Sequence, residues 1–393
     1  MPPGTGVTAR LPELVPPPTE LPPAAATLRA AVRAFLAGER AAGLWRPRPD
    51  VWLSGWDERF TRELARRGWL GITIPKEYGG HGGSALDRYV VTEELLAAGA
   101  PVAAHWVADR QIGPTLMRFG TQEQRQRYLP RIAAGECYFG IGMSEPDSGS
   151  DLASVRTKAV RVDGGWELTG TKVWTSGAHR AHAFFALARS APRDEARRHG
   201  GLSQFIVELD SPGVTIRPIP LLTGAHHFNE VVFDAVFVPD ALVLGEIGAG
   251  WHQVTSELAF ERSGPERFLS TYPLLAALVG ELVARGGGGE REVGGLVARL
   301  WTLRRMSLAV AGSLASGETP ELAAALVKDL GTRFENEVVD VARQVLAIPP
   351  DPGAEGGYAR LLADAVLHAP GFTLRGGTNE VLRGIVARGL GLR

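Results

Sequence analysis

The chain has 393 residues, enough for two or three domains or for one large composite core. Apolar residues make up 45% and charged residues 22%, as in ordinary globular chains, and a formal net charge of −1 argues against a nucleic-acid surface as the main business of the molecule. No stretch approaches the roughly 18–20 uncharged apolar residues of a membrane span, and Cys137 is the only cysteine, so no intrachain disulfide can form and a reducing cytoplasm is the expected location.

Residues 1–23 hold eight prolines and no continuous apolar run, which predicts a flexible arm rather than a signal peptide. From 24 to 134 apolar residues recur at helical spacing, as in Leu28, Val32 and Phe35 and again in Val91, Leu95 and Leu96. Pro47-Arg48-Pro49, Tyr78 to Gly83 and Gly99-Ala100-Pro101 divide this region into several helices. Between 135 and 245 the period changes to that of strands. Val160 and Val162 run into Asp163-Gly164-Gly165, with Trp166, Leu168 and Val173 beyond, a hairpin signal. Residues 183–187, 204–207, 214–216 and 231–233 supply further strands, with a turn at Ser211-Pro212-Gly213, so the block predicts a small antiparallel sandwich or barrel. From 246 to 393 helices return: one through Leu258 and Leu269 to Ala284, a second over 293–314, a third over 321–346 ended by Pro349-Pro350, and a last one from Thr378. The expected class is α+β multi-domain: an N-terminal α-helical domain, a middle β domain and a C-terminal α-helical bundle.

Two runs carry chemistry. Met143-Ser144-Glu145-Pro146-Asp147-Ser148-Gly149-Ser150-Asp151 packs hydroxyls, carboxylates and backbone N–H groups onto a tight turn. Lys172-Val173-Trp174-Thr175-Ser176-Gly177 sets an indole beside two hydroxyl residues. A flavin needs both kinds of surface, polar groups at its N and O edge and an apolar plate on its face. Core packing inside the β block is the other role open to Trp174. The pairs His179/His182 and His226/His227 lack a matching cysteine or carboxylate set for a metal site.

The order helical–β–helical, with Ser-Glu-Pro-x-x-Gly-Ser-Asp opening the β block, resembles the acyl-CoA dehydrogenase family. Pro75 to Gly80, Phe119 to Gln124, Tyr128-Leu129-Pro130, Val232-Phe233-Asp234 with Val238-Pro239, and Gly377-Thr378-Asn379-Glu380-Val381-Leu382-Arg383 extend the likeness over most of the chain after the arm. The resemblance implies FAD-dependent α,β-dehydrogenation of an acyl-CoA thioester: a carboxylate removes the α-proton while the β-hydrogen leaves as hydride to flavin N5. It also implies an electron-transferring flavoprotein as acceptor, a homo-oligomer (a dimer of dimers) or a heterotetramer, and neither nucleic acid nor membrane as partner. By the same resemblance Met143, Ser144, Gly149, Ser150, Trp174, Thr175, Ser176, Thr378 and Glu380 face the flavin, and Ser150, Arg262 and Gly377 face the substrate.

Many members place the catalytic glutamate directly before the Gly-Thr of the C-terminal signature, and here that position is Gly376. Isovaleryl-CoA dehydrogenase and some long-chain members place it before an arginine on the first C-terminal helix, which here is Glu261-Arg262. Val254, Leu258 and Glu261 share one helical stripe, so Glu261 is the expected base, with a solvated or arginine-paired glutamate as the other reading. Glu266 and Glu380 are competing carboxylates. Two family elements near the far end of the FAD are changed: Arg285 is followed by Gly286-Gly287-Gly288-Gly289 instead of reaching a Phe-Gly, and Gln344-Val345-Leu346 runs into Ala347-Ile348-Pro349-Pro350 instead of Gly-Gly. These changes open the reading of a subunit of a heteromeric enzyme with a mainly structural role, and Gly376 opens that of a flavin monooxygenase or oxidase on the same fold. His105, Trp106, Arg110 and Gln111 are candidate acyl-pocket residues, with helix packing as the alternative.

Overall fold

A computed structural model describes residues 16–318 and 320–392, with the side chains of residues 257–261 outside the described set. Most of the predicted arm, residues 1–15, also lies outside the described residues. The end of the arm is placed, and Leu21 packs against Tyr89, Leu308 and Ala311.

Helix α1 (Ala24–Ala41) buries Val32 and Leu36, one turn apart on a single face. Helix α2 (Glu58–Arg66) starts where Asp57 accepts the amide of Phe60 at 2.9 Å, and α3 (Ala85–Ala97) starts in a capping box between Ser84 and Asp87. Helices α4 (Ala103–Val107) and α5 (Gly113–Phe119) form one rod interrupted by a π turn at Ala108–Ile112, a distortion that often marks function. Helix α6 (Gln122–Ala133) is capped by Thr121, and its Gln124 donates to the carbonyls of Ala241 and Val243 at 2.8 and 2.7 Å. That side chain fastens the helix to the β domain.

The strands are β1 (Phe139–Gly142), β2 (Lys158–Val162), β3 (Gly165–Ser176), β4 (Ala183–Arg189), β5 (Leu202–Glu208), β6 (Val214–Pro220), β7 (His226–Pro239) and β8 (Val243–Leu244). Their order is β6-β7-β3-β2-β4-β5-β8, with β1 paired to β4. The expected hairpin at Asp163-Gly164 joins β2 to β3. One Cα pair, Lys158 with Arg189, joins the two halves of the sheet, and the halves face each other through Phe184 against Phe233 and Trp166 against Phe205. The sandwich is thus not purely antiparallel, because β1 runs parallel to β4. Nothing in the strand periodicity specifies direction; β1 enters from a helix rather than from a hairpin, which removes the antiparallel constraint.

Helix α7 (Gly250–Glu261) is followed by a 3₁₀ turn at Pro265–Arg267 and by α8 (Tyr272–Ala284). The single helix expected from Trp251 to Ala284 is therefore broken. Pro265 has no amide to donate to the preceding turn, and the chain redirects at Ser263-Gly264. Helices α9 (Glu290–Ala315) and α10 (Glu321–Val345) match expectation; α11 (Gly357–Phe372) lies outside the expected elements, and α12 (Asn379–Gly389) closes the chain. The two helical blocks share one core, in which Phe60, Leu64 and Leu95 meet Phe268, Leu278, Phe334 and Val338. A second core joins the sheet to α5 and α6 through Leu116, Tyr128 and Leu129. Sites at the seam are consequently built from all three blocks.

Candidate active site

The Ser-Glu-Pro turn is held from beneath by a buried ion pair. Glu145 and Ser148 exchange backbone hydrogen bonds at 2.8 and 3.1 Å, and the Ser148 hydroxyl donates to the Asp151 carbonyl at 2.7 Å. The Glu145 carboxylate accepts from the amides of Arg156 (2.5 Å) and Thr157 (2.8 Å) and from Lys172 Nζ (2.8 Å). Lys172 also donates to the Met143 carbonyl at 3.2 Å. Burial alone would raise the Glu145 carboxyl; the Lys172 charge and these donors hold it below the usual range. Burial pushes the Lys172 ammonium down to about 8, against the pull of Glu145. One pair thus ties the first flavin run to the second.

Above this support, Met143 is half-buried against Val155, Leu187, Leu202 and Val254, and Ser144 accepts the Val173 amide on its carbonyl at 2.9 Å. Gly149 and Ser150 stand exposed, and a side chain at Gly149 would meet nothing within 4 Å.

The second run leaves regular pairing where the register of β3 against β7 shifts between Lys172 and Thr175. Within that irregularity Trp174 adopts φ 61°, a left-handed conformation rare for a bulky residue, and 57% of it is exposed. The edge of Phe228, 5.8 Å away at 89°, supports the indole. Core packing is excluded as the role of Trp174, since the ring faces outward. Next to it Thr175 is fully buried with a hydroxyl that has no hydrogen-bond partner, while its carbonyl accepts from Asn229 Nδ2 at 3.0 Å. Ser176 pairs with Phe228 and is half-buried. A strained, outward-facing aromatic plate with the half-buried Ser176 close by fits a flavin ring and its heteroatom edge, whereas the Thr175 side chain is sealed in the β domain.

The C-terminal side of the site is a loop of positive φ. Gly376 has φ 68° and Gly377 φ 90°. A Cβ at Gly376 would come within 3.0–3.1 Å of the guanidinium of Arg267, which is fully buried over the Trp52 ring at 4.9 Å. Arg262 donates from Nε to the Gly376 carbonyl at 3.3 Å. Lys328, buried and not singled out in the sequence, donates to the Gly377 carbonyl (2.7 Å), to Asn379 Oδ1 (3.1 Å) and to the Thr373 carbonyl (3.4 Å). Thr378 caps α12 by accepting the Val381 amide at 3.4 Å. Glu380 is exposed on the first turn, its carboxyl held below the usual range by its own amide and the Thr378 hydroxyl.

Glu261 is the last residue of α7, and its side chain lies outside the described residues. Of its two competitors, Glu266 is 2% exposed and takes Arg110 Nη2 on both oxygens at 3.3 Å, and Glu380 is exposed on the first turn of α12. The acyl-pocket candidates divide. His105 is buried on Thr61 Oγ1 at 2.9 Å, with burial pushing its imidazole down to about 3, and Trp106 packs on Trp52 at 5.8 Å. These two are core residues, because at helical spacing they fall on the face turned to the shared core. Arg110 holds Glu266, and Gln111 is buried. Among the described residues no cluster of histidine, cysteine and carboxylates could hold a metal ion, and no helix is long and apolar enough to cross a membrane.

Comparison with known proteins agrees with this geometry. The N-terminal, middle and C-terminal domain models of acyl-CoA dehydrogenase match residues 22–136, 140–236 and 279–391. The acyl-CoA dehydrogenase IpdE1 of Mycobacterium tuberculosis is 36% identical over 382 residues, covering 93% of this chain and 97% of that protein. FadE34 of the same organism is 35% identical over 85% of this chain, which spans only 46% of its length. Among solved structures, the Tcur3481-Tcur3483 steroid ACAD superposes with TM-score 0.83 at 32% identity, covering 95% of this chain and 99% of that one. The ChsE4-ChsE5 complex from Mycobacterium tuberculosis gives 0.79 at 30%, covering 95% and 98%. The chain belongs to the acyl-CoA dehydrogenase family of FAD-dependent oxidoreductases.

Proposed function

We propose that Glu261 is the base that takes the α-proton of the acyl thioester in this enzyme. The observation that carries the reading is the hydrogen bond from Arg262 to the Gly376 carbonyl. It brings the residue adjoining Glu261 onto the loop where other members carry their carboxylate. The space beside Gly376 is filled by Arg267 instead, Glu266 is held by Arg110, and Glu380 stands exposed on the first turn of α12. Exclusion of water by the acyl tail raises a carboxylate toward the range useful for proton abstraction. Bound FAD supplies the hydride acceptor. Trp174 covers its ring, Ser176 offers a hydroxyl to its edge, and Met143, Ser144, Gly149 and Ser150 line its polar side. The Gly377 and Glu380 backbone and Thr378 close the site from the C-terminal half. The test is a thioester panel read by flavin bleaching: wild type bleaches with at least one member, and Glu261→Gln, loaded with FAD, bleaches at least about 100-fold more slowly. Unchanged bleaching by that variant would remove Glu261 from the mechanism. An electron-transferring flavoprotein is the proposed acceptor.

A second reading concerns assembly. Gly286 to Gly289 all have positive φ and form an exposed loop without the aromatic residue that other members present to a neighbour's FAD. This supports pairing with a different chain, the arrangement that the ChsE4-ChsE5 complex has. Native mass and flavin content of the chain purified alone decide it: a homotetramer with one FAD per chain and full activity speaks against a second chain. The likeness to a steroid ACAD puts polycyclic acyl thioesters first in the panel.

A further inference from the structure

The glycine loop between α11 and α12 is held by its carbonyls. Lys328, fully buried on α10, donates from Nζ to the Thr373 carbonyl at one end of the loop at 3.4 Å. At the other end it donates to the Gly377 carbonyl at 2.7 Å and to Asn379 Oδ1 at 3.1 Å. An ammonium has three N–H donors, and these oxygens match them one to one. Asn379 is itself locked to α10: its Oδ1 accepts from Thr332 Oγ1 at 3.2 Å, and its Nδ2 donates to the Asp329 carbonyl at 3.3 Å. Gly331 lets α10 come this close, since a Cβ there would stand 2.3 Å from the Arg267 carbonyl. The Gly376 carbonyl is engaged as well, by Arg262 Nε at 3.3 Å.

The amides of the same two residues are not engaged. Among the described residues the N–H groups of Gly376 and Gly377 donate to no acceptor, although both residues are half-buried. A peptide unit is planar and trans, so a carbonyl drawn to one side turns the amide of the same unit to the other. Arg262 on the Gly376 carbonyl therefore points the Gly377 N–H the opposite way. A half-buried amide without an acceptor is costly. Burying an ammonium to hold neutral carbonyls costs more than packing an apolar side chain in its place. A strut between α10 and α12 needs neither the charge nor the idle amides. An oxygen that arrives from outside the chain and gathers charge accounts for both.

We propose that Lys328 is a positioning residue for the dehydrogenation: it fixes both ends of the loop so that the Gly376 and Gly377 amides meet the thioester oxygen as negative charge develops there. The proposal rests on the Glu261 reading only for placing the thioester end at this loop. Donors set in advance act on the charge of the transition state more than on the neutral ground state. Lys328 therefore bears on the enolate and not on the binding of the tail or of the CoA.

The experiment is a pH titration of acetoacetyl-CoA bound to the FAD-loaded enzyme in its native assembly, read by the near-ultraviolet difference absorbance of the enolate. Ionisation moves the C2 proton to solvent and puts negative charge on the thioester oxygen. In the wild type the apparent pKa is expected to fall at least about one pH unit below that of the free thioester, a tenfold preference for the enolate. Lys328→Met is expected to reverse at least about half of that fall. S-butyl-CoA, which lacks the carbonyl, should bind that variant within about threefold of wild type. Lys328→Gln keeps a neutral donor and should lie between, and it decides the matter if the methionine variant fails to fold. A wild-type pKa equal to the free value overturns the proposal. An unchanged pKa in either folded variant does the same, and an equal loss of affinity for both ligands beside it is the mark of a strut. The titrations are repeated in a Glu261→Gln background, where the Lys328 dependence is expected to persist. Its disappearance there would route the effect through the carboxylate and overturn the loop assignment, while the Glu261 reading itself stands or falls on bleaching rates alone.

Discussion

The Ser-Glu-Pro turn and the glycine loop are both irregular backbone held in one shape, by opposite means. At the edge, a carboxylate and an ammonium are buried together, Glu145 with Lys172, and the pair gathers amides and carbonyls from two segments of the middle domain. At the loop, Arg375 anchors the chain on Asp50, Glu335 and Ser270, and Arg262, Arg267 and Lys328 arrive from other elements and press on Gly376 and Gly377. The first is a support whose parts lie close in sequence. The second is assembled across the fold, and Arg267 fills the space beside Gly376.

The largest effect expected falls on the edge. Lys172→Met leaves Glu145 buried among amides but without its cation, and is expected to cost about 3–5 kcal/mol in urea unfolding and to lower FAD content. A loss below about 1 kcal/mol would mean that the amides alone hold the turn. The next effect concerns the loop and is catalytic: the fall of at least about 100-fold for Glu261→Gln. Adding Gly376→Glu to that variant is not expected to restore activity, because the position combines φ 68° with a buried guanidinium 3.0 Å from any Cβ. Gly376→Ala alone should cost about 1–2 kcal/mol in stability. Recovery of turnover in the double variant would show the loop to be as adaptable as that of other members and would dissolve the contrast.

The contrast also explains what could be read from sequence. The edge was legible because its residues lie in two runs with local geometry, a turn and a strand irregularity, and Asp163-Gly164 fixed the hairpin that carries the second run. Most helix breaks were legible from clustered proline and glycine, but the one at Ser263-Gly264-Pro265 was missed although it carries the same signal, because the apolar spacing was followed across it. Lys328 and Arg267 were not legible. Each is an ordinary helical or turn cation by spacing, and only tertiary packing buries it against the glycine loop. Trp174 had two readings, and the deciding fact, its left-handed backbone, is a property of the β3–β7 register and not of any local pattern.

Between the two regions runs a seam whose histidines are sensitive to acid. Burial pushes His227 down to about 4, with Asp50 opposing and His368, His179 and Arg375 adding to the shift. Burial and Arg110 push His105 down to about 3. Both stay neutral in the folded chain while the unfolded chain, with imidazoles near 6.5, takes up protons. Stability is therefore present above the unfolded value and is lost as pH falls from about 6.5 toward 4, by up to about 1.4 kcal/mol per pH unit for each histidine. Urea midpoints between pH 7 and 5 measure the slope, and His227→Gln is expected to remove about half of it. An undiminished slope would place the acid response outside the seam.

The smallest effect separates strain from binding at the edge itself. Replacing Trp174 by glycine relieves about 1–2 kcal/mol of left-handed strain and adds about 0.5–1 kcal/mol of chain entropy to the unfolded state. The protein stripped of FAD should consequently change by no more than about 1 kcal/mol, in either direction. Its affinity for FAD should fall about tenfold, the worth of one aromatic contact, and Trp174→Phe should lie between. A strained residue kept only for packing would behave in the reverse way, lowering apo stability and leaving FAD affinity alone. With 57% of Trp174 exposed, the proposed contact with a flavin ring accounts for the strain at position 174 where packing does not.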